Sequence, residues 1–479
     1  MRYMLRFMCA LLVMLIFSLA AVCRASSAYS ALAKPVDPPI VENLREVLHK
    51  LVAEDRFSGA VLLAEKGAIL FEHAYGYADH AFDAKNNINT KFNMGSMGKM
   101  FTGVAVLQLA QAGKLSLDDR LIKDLPTYPN KAVANSVTIR QLLTHTSGLG
   151  DFFGPEFAGA NMSRFESLES LLPLFVDKPL LFEPGSRWSY SNAGYIVLGL
   201  VIQQVAGESY YDYVREHICE PAGMSNTGNW PADADVPNRA LGYTTMGSPG
   251  TVRKSNIFFL QRGGSAGGGY STVHDLLRFA EALQSHKLLN EQYTAMEMTG
   301  QVPTDRPGIT YGFGMEERTV DGTRIVGHSG GGPGIESVLE MYPARGYVVA
   351  IMSNYDHAMS PINSRLRAAL SGQATPQAIA APQQPMSEFA GTYTPVLPAG
   401  VQMAPPPITI TIEVNGLKVD PGMGPPFHFV PIANDEFVDT DSRALHITFL
   451  RDNAGRVTGL KTATGFGPVP PITALKNSG

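Results

Sequence analysis

Apolar strand patterns occur at two places that lie far apart along this chain. The first group, Gly59–Ala64 and Ile69–Tyr75, is joined at Lys66-Gly67, which is typical of a hairpin turn. The second group comprises three runs, Thr323–Val326, Ile335–Tyr342 and Tyr347–Ser353. Helix patterns lie between and outside the groups, at Val41–Glu54, over much of Phe101–Leu289 and near Asn363–Leu370. This order predicts an α+β fold with one antiparallel sheet closed by distant segments, not a succession of βαβ units.

The sequence changes character after residue 371. Residues 372–385 are rich in Ala, Gln and Pro and carry no charge, which is typical of a linker. Short strand patterns follow, with tight turns between them, at Ile408–Ile412, Leu417–Val419, His446–Leu450 and Val457–Leu460. We predict a larger domain over residues 40–371 and a small all-β domain, with a barrel as one possible arrangement, over residues 386–479.

The first 28 residues have the pattern of a secretory signal. Arg2 and Arg6 precede an uncharged run from Phe7 to Cys23, and small residues follow at positions 25–28. The apolar run is short for a membrane span, so cleavage is favoured over a retained anchor. We therefore expect a periplasmic or secreted protein without stable membrane insertion.

Charge and cysteine content narrow the function classes. Lys and Arg number 38 and Asp and Glu 43, a net charge of −5, which gives no reason to expect nucleic acid or an anionic membrane as partner. Two of the three cysteines, Cys9 and Cys23, lie in the predicted signal, so the mature chain keeps Cys219 and forms no internal disulfide. The Cys and His residues do not have the spacing of metal ligands, and we expect no metal.

A Ser-x-x-Lys sequence, Ser96 to Lys99, opens a predicted helix with Met100, Val104 and Leu107 on its apolar face. Three residues along a helix are nearly one turn, so the Ser96 hydroxyl and the Lys99 amine should lie side by side. A serine hydroxyl is a weak nucleophile until a base takes its proton, and a desolvated lysine can be that base. The alternative is an N-capping serine with a solvated lysine, which the rest of the sequence disfavours.

A Tyr-Ser-Asn sequence, Tyr190 to Asn192, precedes a predicted helix at Tyr195–Val205. A phenol beside an ammonium loses its proton more easily, because the positive charge favours the phenolate. We therefore expect Tyr190 to share a proton with Ser96 and later to protonate a leaving group. The Asn192 amide is expected to orient Lys99 or the substrate carbonyl.

The sequence Gly327-His328-Ser329-Gly330-Gly331 ends a predicted strand. A strand edge at this point can direct the backbone N–H of Gly331 into a cleft, where it would form an oxyanion hole with the N–H of Ser96. The small residues let a substrate backbone approach closely. We predict that His328, Gly330 and Gly331 bind the substrate.

Other matches to hydrolase motifs have a poorer context. Ser265 and Ser329 each lie in a Gly-x-Ser-x-Gly sequence, but neither has the strand, turn and helix that a nucleophile elbow needs. Tyr128-Pro129-Asn130 repeats the Tyr-x-Asn spacing, but no helix is predicted after it. His145 is expected to stabilise its loop by hydrogen bonding, and Cys219 to be a small buried residue.

Together these segments resemble the serine β-lactamase and penicillin-binding-protein superfamily, in the branch of class C β-lactamases, DD-peptidases, D-aminopeptidases and esterases. The resemblance covers roughly residues 41–370 and includes three supporting segments, Phe57–Val61, Leu142–Leu149 and Gly267–Thr272. It implies an α/β/α sandwich, an antiparallel sheet flanked by helices plus an all-helical region. It also implies that Ser96 is acylated, with Lys99 and Tyr190 as a coupled base, and that Asn192 lines the site. No metal or organic cofactor is implied, and the residues after the linker resemble lipocalin-like β-domains.

His328 departs from the class C pattern, which usually has a lysine there to bind the substrate carboxylate. A histidine is mostly neutral near pH 7 and is a weaker electrostatic anchor, so we expect weak or absent β-lactam turnover. The sequence thus predicts an exported serine hydrolase that cleaves amide bonds, resembling DD-carboxypeptidases and D-aminopeptidases, with a small-molecule or peptide substrate. The alternatives are an esterase of small acyl esters, a weak β-lactamase, and a non-catalytic receptor for penicillin or cell-wall peptide.

Overall fold

The computed structural model describes residues 38–158, 160, 162–231, 233–245, 253–256, 262–372, 385–396, 406–422, 426–441, 445–462 and 472–477. The chain divides into two compact units, residues 1–43 and residues 44–479. The predicted signal at residues 1–28 lies outside the described residues, as does the predicted linker except for Gly372 and Pro385. The domain boundaries therefore stay predictions.

An antiparallel sheet lies at the centre of the region before the linker. The strands of this region are β1 (Gly59–Glu65), β2 (Ala68–Tyr75), β3 (Tyr77–Asp79), β4 (Ala84–Lys85), β5 (Phe92–Asn93), β6 (Tyr243–Thr244), β7 (Lys254–Ser255), β8 (Tyr270–Ser271), β9 (Val302–Pro303), β10 (Ile309–Tyr311), β11 (Glu316–Val320), β12 (Thr323–Gly332), β13 (Ile335–Tyr342) and β14 (Tyr347–Ser353). Eight strands form one sheet in the order β2-β1-β14-β13-β12-β11-β10-β9. β1 pairs with β14, with Gly59 opposite Ser353, so distant segments close the sheet as predicted.

Part of this sheet was not predicted. β9 and β10 have two and three residues, which is too short for a period-two pattern to be visible. β11 contains consecutive charged residues, Glu316 to Arg318, and so carries charge on both faces. β12 continues to Gly332, beyond the predicted end at Val326, through a glycine-rich stretch of low strand propensity.

Helices cover both faces of the sheet. They are α1 (Pro39–Ala53), α2 (Gly98–Gln111), α3 (Leu121–Asp124), α4 (Lys131–Ser136), α5 (Ile139–Leu143), α6 (Pro155–Ala158), α7 (Asn192–Ala206), α8 (Tyr210–Val214), α9 (Glu220–Ala222), α10 (Val273–Gln284), α11 (Glu291–Glu297) and α12 (Ser360–Ser371). On one face, α10 packs on β1 and β14, and α2 packs between α7 and α11. On the other face, Arg367 of α12 bonds to Glu340 of β13. The predicted α/β/α sandwich is confirmed.

α2 is the helix that carries Ser-x-x-Lys into the core. Its residues are buried around almost the whole circumference, from Gly98 to Leu107 and at Leu109. A helix that is apolar all round must be covered on every side, so its first turn lies deep in the protein beside the sheet. This burial sets the environment of Lys99.

The C-terminal region is a closed barrel. Its strands are β15 (Gly391–Pro395), β16 (Ile408–Glu413), β17 (Gly416–Asp420), β18 (Phe427–Pro431), β19 (Glu436–Asp439), β20 (His446–Arg451), β21 (Val457–Thr462) and β22 (Thr473–Lys476). Side chains fill its interior, and the Phe389 and Phe449 rings lie 4.5 Å apart there. The small all-β domain is thereby confirmed. Its Asp441 carboxylate accepts from Arg56 at 2.7 Å.

Within the described residues, no helix combines the length and the apolar character needed to cross a bilayer.

Candidate active site

Ser96 lies in a single helical turn that leads into α2, pressed against the end of β12. Gly95 in this turn has a φ of +50°, and a Cβ there would lie 2.9 Å from the Gly331 nitrogen. A Cβ on Gly330 would lie 2.0 Å from the Met94 carbonyl oxygen. Both positions need glycine because two backbones meet here without room for a side chain. The glycines thus hold the serine beside the strand.

Lys99 is fully buried in the first turn of α2. Its Nζ lies 3.3 Å from Ser96 Oγ, 2.7 Å from Asn192 Oδ1 and 2.6 Å from the Ala266 carbonyl oxygen. Among the described residues it bonds to no carboxylate. Burial lowers the pKa of Lys99 to about 7, and the negative charge of Asp151 opposes part of this effect. A large fraction of Lys99 is therefore a neutral amine near pH 7, next to a hydroxyl.

Tyr190 completes the contact around the serine. The Ser96 side chain acts on the Tyr190 hydroxyl and favours its ionised form, and Lys99 Nζ lies 4.8 Å from the centroid of the Tyr190 ring. The amine therefore faces the ring as well as the serine. Burial raises the pKa of Tyr190 above its ordinary value. The expectation that this phenol loses its proton more easily is wrong, because desolvation is the largest influence on the pKa of Tyr190 and raises it. Lys99 is the group that titrates near neutrality.

The Tyr190 segment is held by its own helix cap and by His145. Ser191 caps α7 by accepting from the Gly194 N–H at 3.0 Å, and its own N–H donates to His145 Nδ1 at 3.1 Å. The His145 carbonyl accepts from the Ser189 N–H, and its ring lies 4.3 Å from the Tyr190 ring. Burial lowers the pKa of His145 well below its ordinary value, so a neutral Nδ1 can accept. The predicted loop-stabilising role of His145 is confirmed.

Asn192 begins α7 and bridges two groups. Its Oδ1 accepts from Lys99, and its Nδ2 donates to Asp151 Oδ2 at 2.7 Å. Of the two predicted roles for this amide, the orientation of Lys99 is the one seen in these contacts. Asp151 is a member of the site that the sequence did not indicate.

His328 is buried at the edge of the site. Its Nε2 lies 3.1 Å from the Tyr311 hydroxyl. Burial lowers the pKa of His328 to about 4, although Glu316 opposes the shift. The imidazole is therefore neutral at pH 7, as expected, and supplies no positive charge to an anionic substrate.

β12 has a free edge where it reaches the serine. Its pairing with β11 ends at Gly327, opposite Glu316. From His328 onward β13 is its neighbour on one side, and the other edge has no strand partner among the described residues. Gly331 is exposed and its nitrogen is close to Gly95. A backbone N–H here is available to a ligand.

The structure brings the predicted site residues into one cluster: Ser96, Lys99, Tyr190, Asn192, His328, Gly330 and Gly331. Three members were missed, namely Asp151, the Ala266 carbonyl and Tyr311. An aspartate after a glycine, as at Asp151, is typical of a turn and does not by itself indicate a site residue. In the structure its Oδ1 does accept from the Phe153 N–H, as in such a turn. A backbone carbonyl leaves no trace in side-chain patterns.

The motifs that the sequence analysis ranked low have structural roles. A helix, α4, does follow Tyr128-Pro129-Asn130, so the reason given for ranking it low is wrong; Asn130 caps that helix by accepting from the Val133 N–H. Tyr128 is nevertheless a core side chain, 1% exposed. Ser329 lies within β12 and Cys219 is buried.

Comparison with known proteins agrees with this architecture. A family model described as Beta-lactamase matches residues 44–373, and the chain belongs to this family of serine hydrolases. It is similar to Penicillin-binding protein 4* of Bacillus subtilis (strain 168), with 29% identity over 341 residues, 68% of this chain and 75% of that one.

Solved structures show the same likeness. A penicillin binding protein from Bacillus halodurans has 33% identity and a TM-score of 0.62, over 67% of this chain and 98% of that one. A D-stereospecific amidohydrolase from Streptomyces sp. has 26% identity and a TM-score of 0.58, over 70% of this chain and 99% of that one. The family resemblance and the fold class expected from the sequence are both confirmed.

Proposed function

We propose that this protein is an exported serine hydrolase that cleaves amide bonds through an acyl-enzyme on Ser96. One observation carries the proposal: Lys99, with a pKa lowered by burial to about 7, lies 3.3 Å from the Ser96 hydroxyl. A base that is half deprotonated at the working pH is the partner an alcohol nucleophile needs.

Acylation begins with attack of Ser96 Oγ on the substrate carbonyl carbon. The Oγ proton passes to the neutral Lys99 amine as the Oγ–C bond forms. The carbonyl oxygen gains the negative charge and is stabilised by the N–H groups of Ser96 and Gly331. Removal of such a donor typically costs about 3 kcal/mol in the transition state.

Breakdown of the intermediate needs a proton for the leaving amine. Tyr190 keeps its proton at neutral pH because burial raises its pKa, so it can act as the acid. It gives its proton to the leaving nitrogen as the C–N bond breaks, and the Lys99 ammonium restores it. Lys99 is then neutral again and takes a proton from water as the water oxygen bonds to the acyl carbon. It returns this proton to Ser96 Oγ as the Oγ–C bond breaks, which frees the acid and restores the serine.

Amide substrates are favoured over β-lactams and simple esters. The neutral, buried His328 offers no charge for the carboxylate of a β-lactam, and one similar protein is by name a D-stereospecific amidohydrolase. Export rests on the signal-like pattern of residues 1–28. The chain's own residues supply the nucleophile, base and acid of the proposed reaction.

Mass spectrometry after incubation with a fluorophosphonate tests the proposal. The wild-type protein is expected to gain one phosphonyl adduct on Ser96 and to hydrolyse D-alanyl peptides faster than p-nitrophenyl butyrate. Ser96→Ala should abolish both adduct and turnover. Ser96 is partly exposed, so the melting temperature should hardly change.

Ser329→Ala is the matched control, because Ser329 occupies the rejected Gly-x-Ser-x-Gly sequence nearby. This variant should keep the adduct. Labelling of Ser96→Ala, or turnover without Ser96, would contradict the assignment of the nucleophile. Faster ester turnover would identify an esterase, and a permanent penicillin adduct without turnover of any substrate would identify a receptor.

A further inference from the structure

We propose that Asp151 is a positioning residue that fixes the polarity of the Asn192 amide and thereby points the Lys99 lone pair at Ser96. This inference rests on the proposed function. It explains why a carboxylate lies one amide away from the base without bonding to it.

Asp151 is itself held in one orientation. Its Oδ1 accepts from the Phe153 backbone N–H at 3.1 Å, and its Oδ2 accepts from Asn192 Nδ2 at 2.7 Å. An ionised carboxylate only accepts hydrogen bonds, whereas an amide side chain has a donor end and an acceptor end. The Asn192 nitrogen must therefore face Asp151, and its oxygen must face Lys99.

The consequence for Lys99 follows from counting donors. A neutral amine has two N–H groups and one lone pair. The Ala266 carbonyl and Asn192 Oδ1 can only accept, and they lie 2.6 and 2.7 Å from Nζ. Both N–H groups are thus used, and the lone pair is left for the longer, 3.3 Å contact with the Ser96 hydroxyl. In this arrangement Ser96 donates, as a nucleophile must.

The Asn192 amide also separates Asp151 from Lys99, which keeps the pKa of Lys99 low enough for it to act as a base. A carboxylate in direct contact with Lys99 would favour the ammonium, which cannot take a proton. Across Asn192, Asp151 orients the amine while burial still keeps the pKa of Lys99 near 7. Asn192 thus presents an acceptor to Lys99, as Asp151 would, while keeping the carboxylate out of direct contact with the amine.

The decisive variant is Asp151→Asn, measured by the rate of phosphonylation with a fluorophosphonate. The Phe153 N–H would keep the oxygen of the new amide, so the NH₂ end would face Asn192. The Asn192 amide would then invert and present Nδ2 to Lys99, whose lone pair would be taken. We expect the rate to fall about 100-fold, the range in which a misplaced general base acts.

Asp151→Ala removes the carboxylate but imposes no inverted amide. Its rate should fall less, about 10-fold, although alanine is the less conservative change. A residue that merely packs or stabilises would show the opposite order. The exposed Asp118, which pairs with Arg140, provides a control: Asp118→Asn should leave the rate unchanged.

A swapped pair tests the same inference by rescue. In Asp151→Asn/Asn192→Asp, the amide at position 151 donates to a carboxylate at position 192, which again presents an acceptor to Lys99. Activity should return in part, but only at higher pH, because a carboxylate now touches the amine and raises its pKa. A double variant no better than Asp151→Asn at any pH would overturn the inference.

Substrate recognition by Asp151 is the competing role, and the probe separates the two. A fluorophosphonate has no ammonium group, so a carboxylate that binds a substrate ammonium would not affect its rate. If Asp151→Asn raises only KM for amino-bearing substrates and labels at the wild-type rate, the positioning role is wrong. A wild-type protein that is not labelled contradicts the proposed function, whereas a labelled wild type with equal rates in all Asp151 variants overturns this inference alone.

Discussion

Two basic side chains on opposite faces of the sheet, Lys99 and Arg367, differ in what surrounds them. Lys99 bonds to a hydroxyl and two neutral oxygens, and burial lowers its pKa to about 7. Arg367, 23% exposed, donates to Glu340 with 2.8 Å between Nε and Oε1. Burial acts to lower the pKa of Arg367, but Glu340 outweighs it and the pKa is raised. The surroundings on one face thus make Lys99 a base, and those on the other face keep Arg367 a structural charge.

The difference comes from where the carboxylates lie along the strands. Glu340 faces α12 because side chains alternate across β13, and Leu339 therefore faces the core that contains α2. Asp151 is the acid whose charge acts on Lys99, and Asn192 stands between them. Substitutions at Lys99 and at the Glu340–Arg367 pair should therefore affect different properties, activity in the first case and stability in the second.

The largest effect is expected from Lys99→Met. Methionine fills a similar volume but cannot accept a proton, so kcat/KM should fall about 10³-fold or more, as for removal of a general base. The melting temperature should fall only slightly, because removal of the desolvated amine offsets part of the cost of leaving Asn192 Oδ1 and the Ala266 carbonyl without a donor. Steady-state kinetics and thermal melting give the two readouts. Residual activity above about a tenth of wild type would show that Lys99 is not the base.

The next effect concerns stability on the other face. Glu340→Ala removes the carboxylate that pairs with Arg367. Because Arg367 is 23% exposed, the free energy of unfolding should fall by about 3 kcal/mol, the lower end of the range for a buried pair. Urea denaturation measures this cost. Adding Arg367→Met should recover most of the loss, since no unpaired charge remains. Equal stability of wild type and Glu340→Ala would mean that solvent, rather than Glu340, keeps Arg367 charged.

Most residues of the site could be predicted from the sequence, but the surroundings that set their pKa values could not. Ser96 and Lys99 lie about one turn apart where α2 begins, a spacing that follows from 3.6 residues per turn, and Tyr190 shortly precedes α7. The glycines of β12 predicted room for a substrate backbone, and the structure shows that the backbone of Met94 and Gly95 also approaches them. The pKa of Tyr190 was predicted in the wrong direction, because the extent of desolvation depends on packing from several elements. Asp151 was missed for the same reason, since its contact with Asn192 joins residues 41 positions apart.

A pH profile tests the lowered pKa of Lys99. The base acts only when it is unprotonated, so the phosphonylation rate should rise through a pKa of about 7 and then level off. Below that value the rate should fall about tenfold per pH unit, which stopped-flow or timed labelling between pH 5 and 9 can measure. A rate that still rises beyond pH 9 would show that Lys99 keeps an ordinary lysine pKa.

The smallest effect is expected at Glu297, a buried acid without a basic partner among the described residues. Glu297 in α11 is fully buried, and neither carboxyl oxygen has a hydrogen-bond partner among the described residues. Burial raises the pKa of Glu297 well above its ordinary value, so the folded protein holds it protonated while the unfolded chain ionises. Its contribution to stability is thus full at acidic pH and is lost as pH rises above the ordinary glutamate pKa. Glu297→Gln should therefore raise the free energy of unfolding by about 1 kcal/mol at pH 8 and change it little at pH 4, measured by urea denaturation. The same gain at both pH values would mean that the glutamine packs better and that ionisation plays no part.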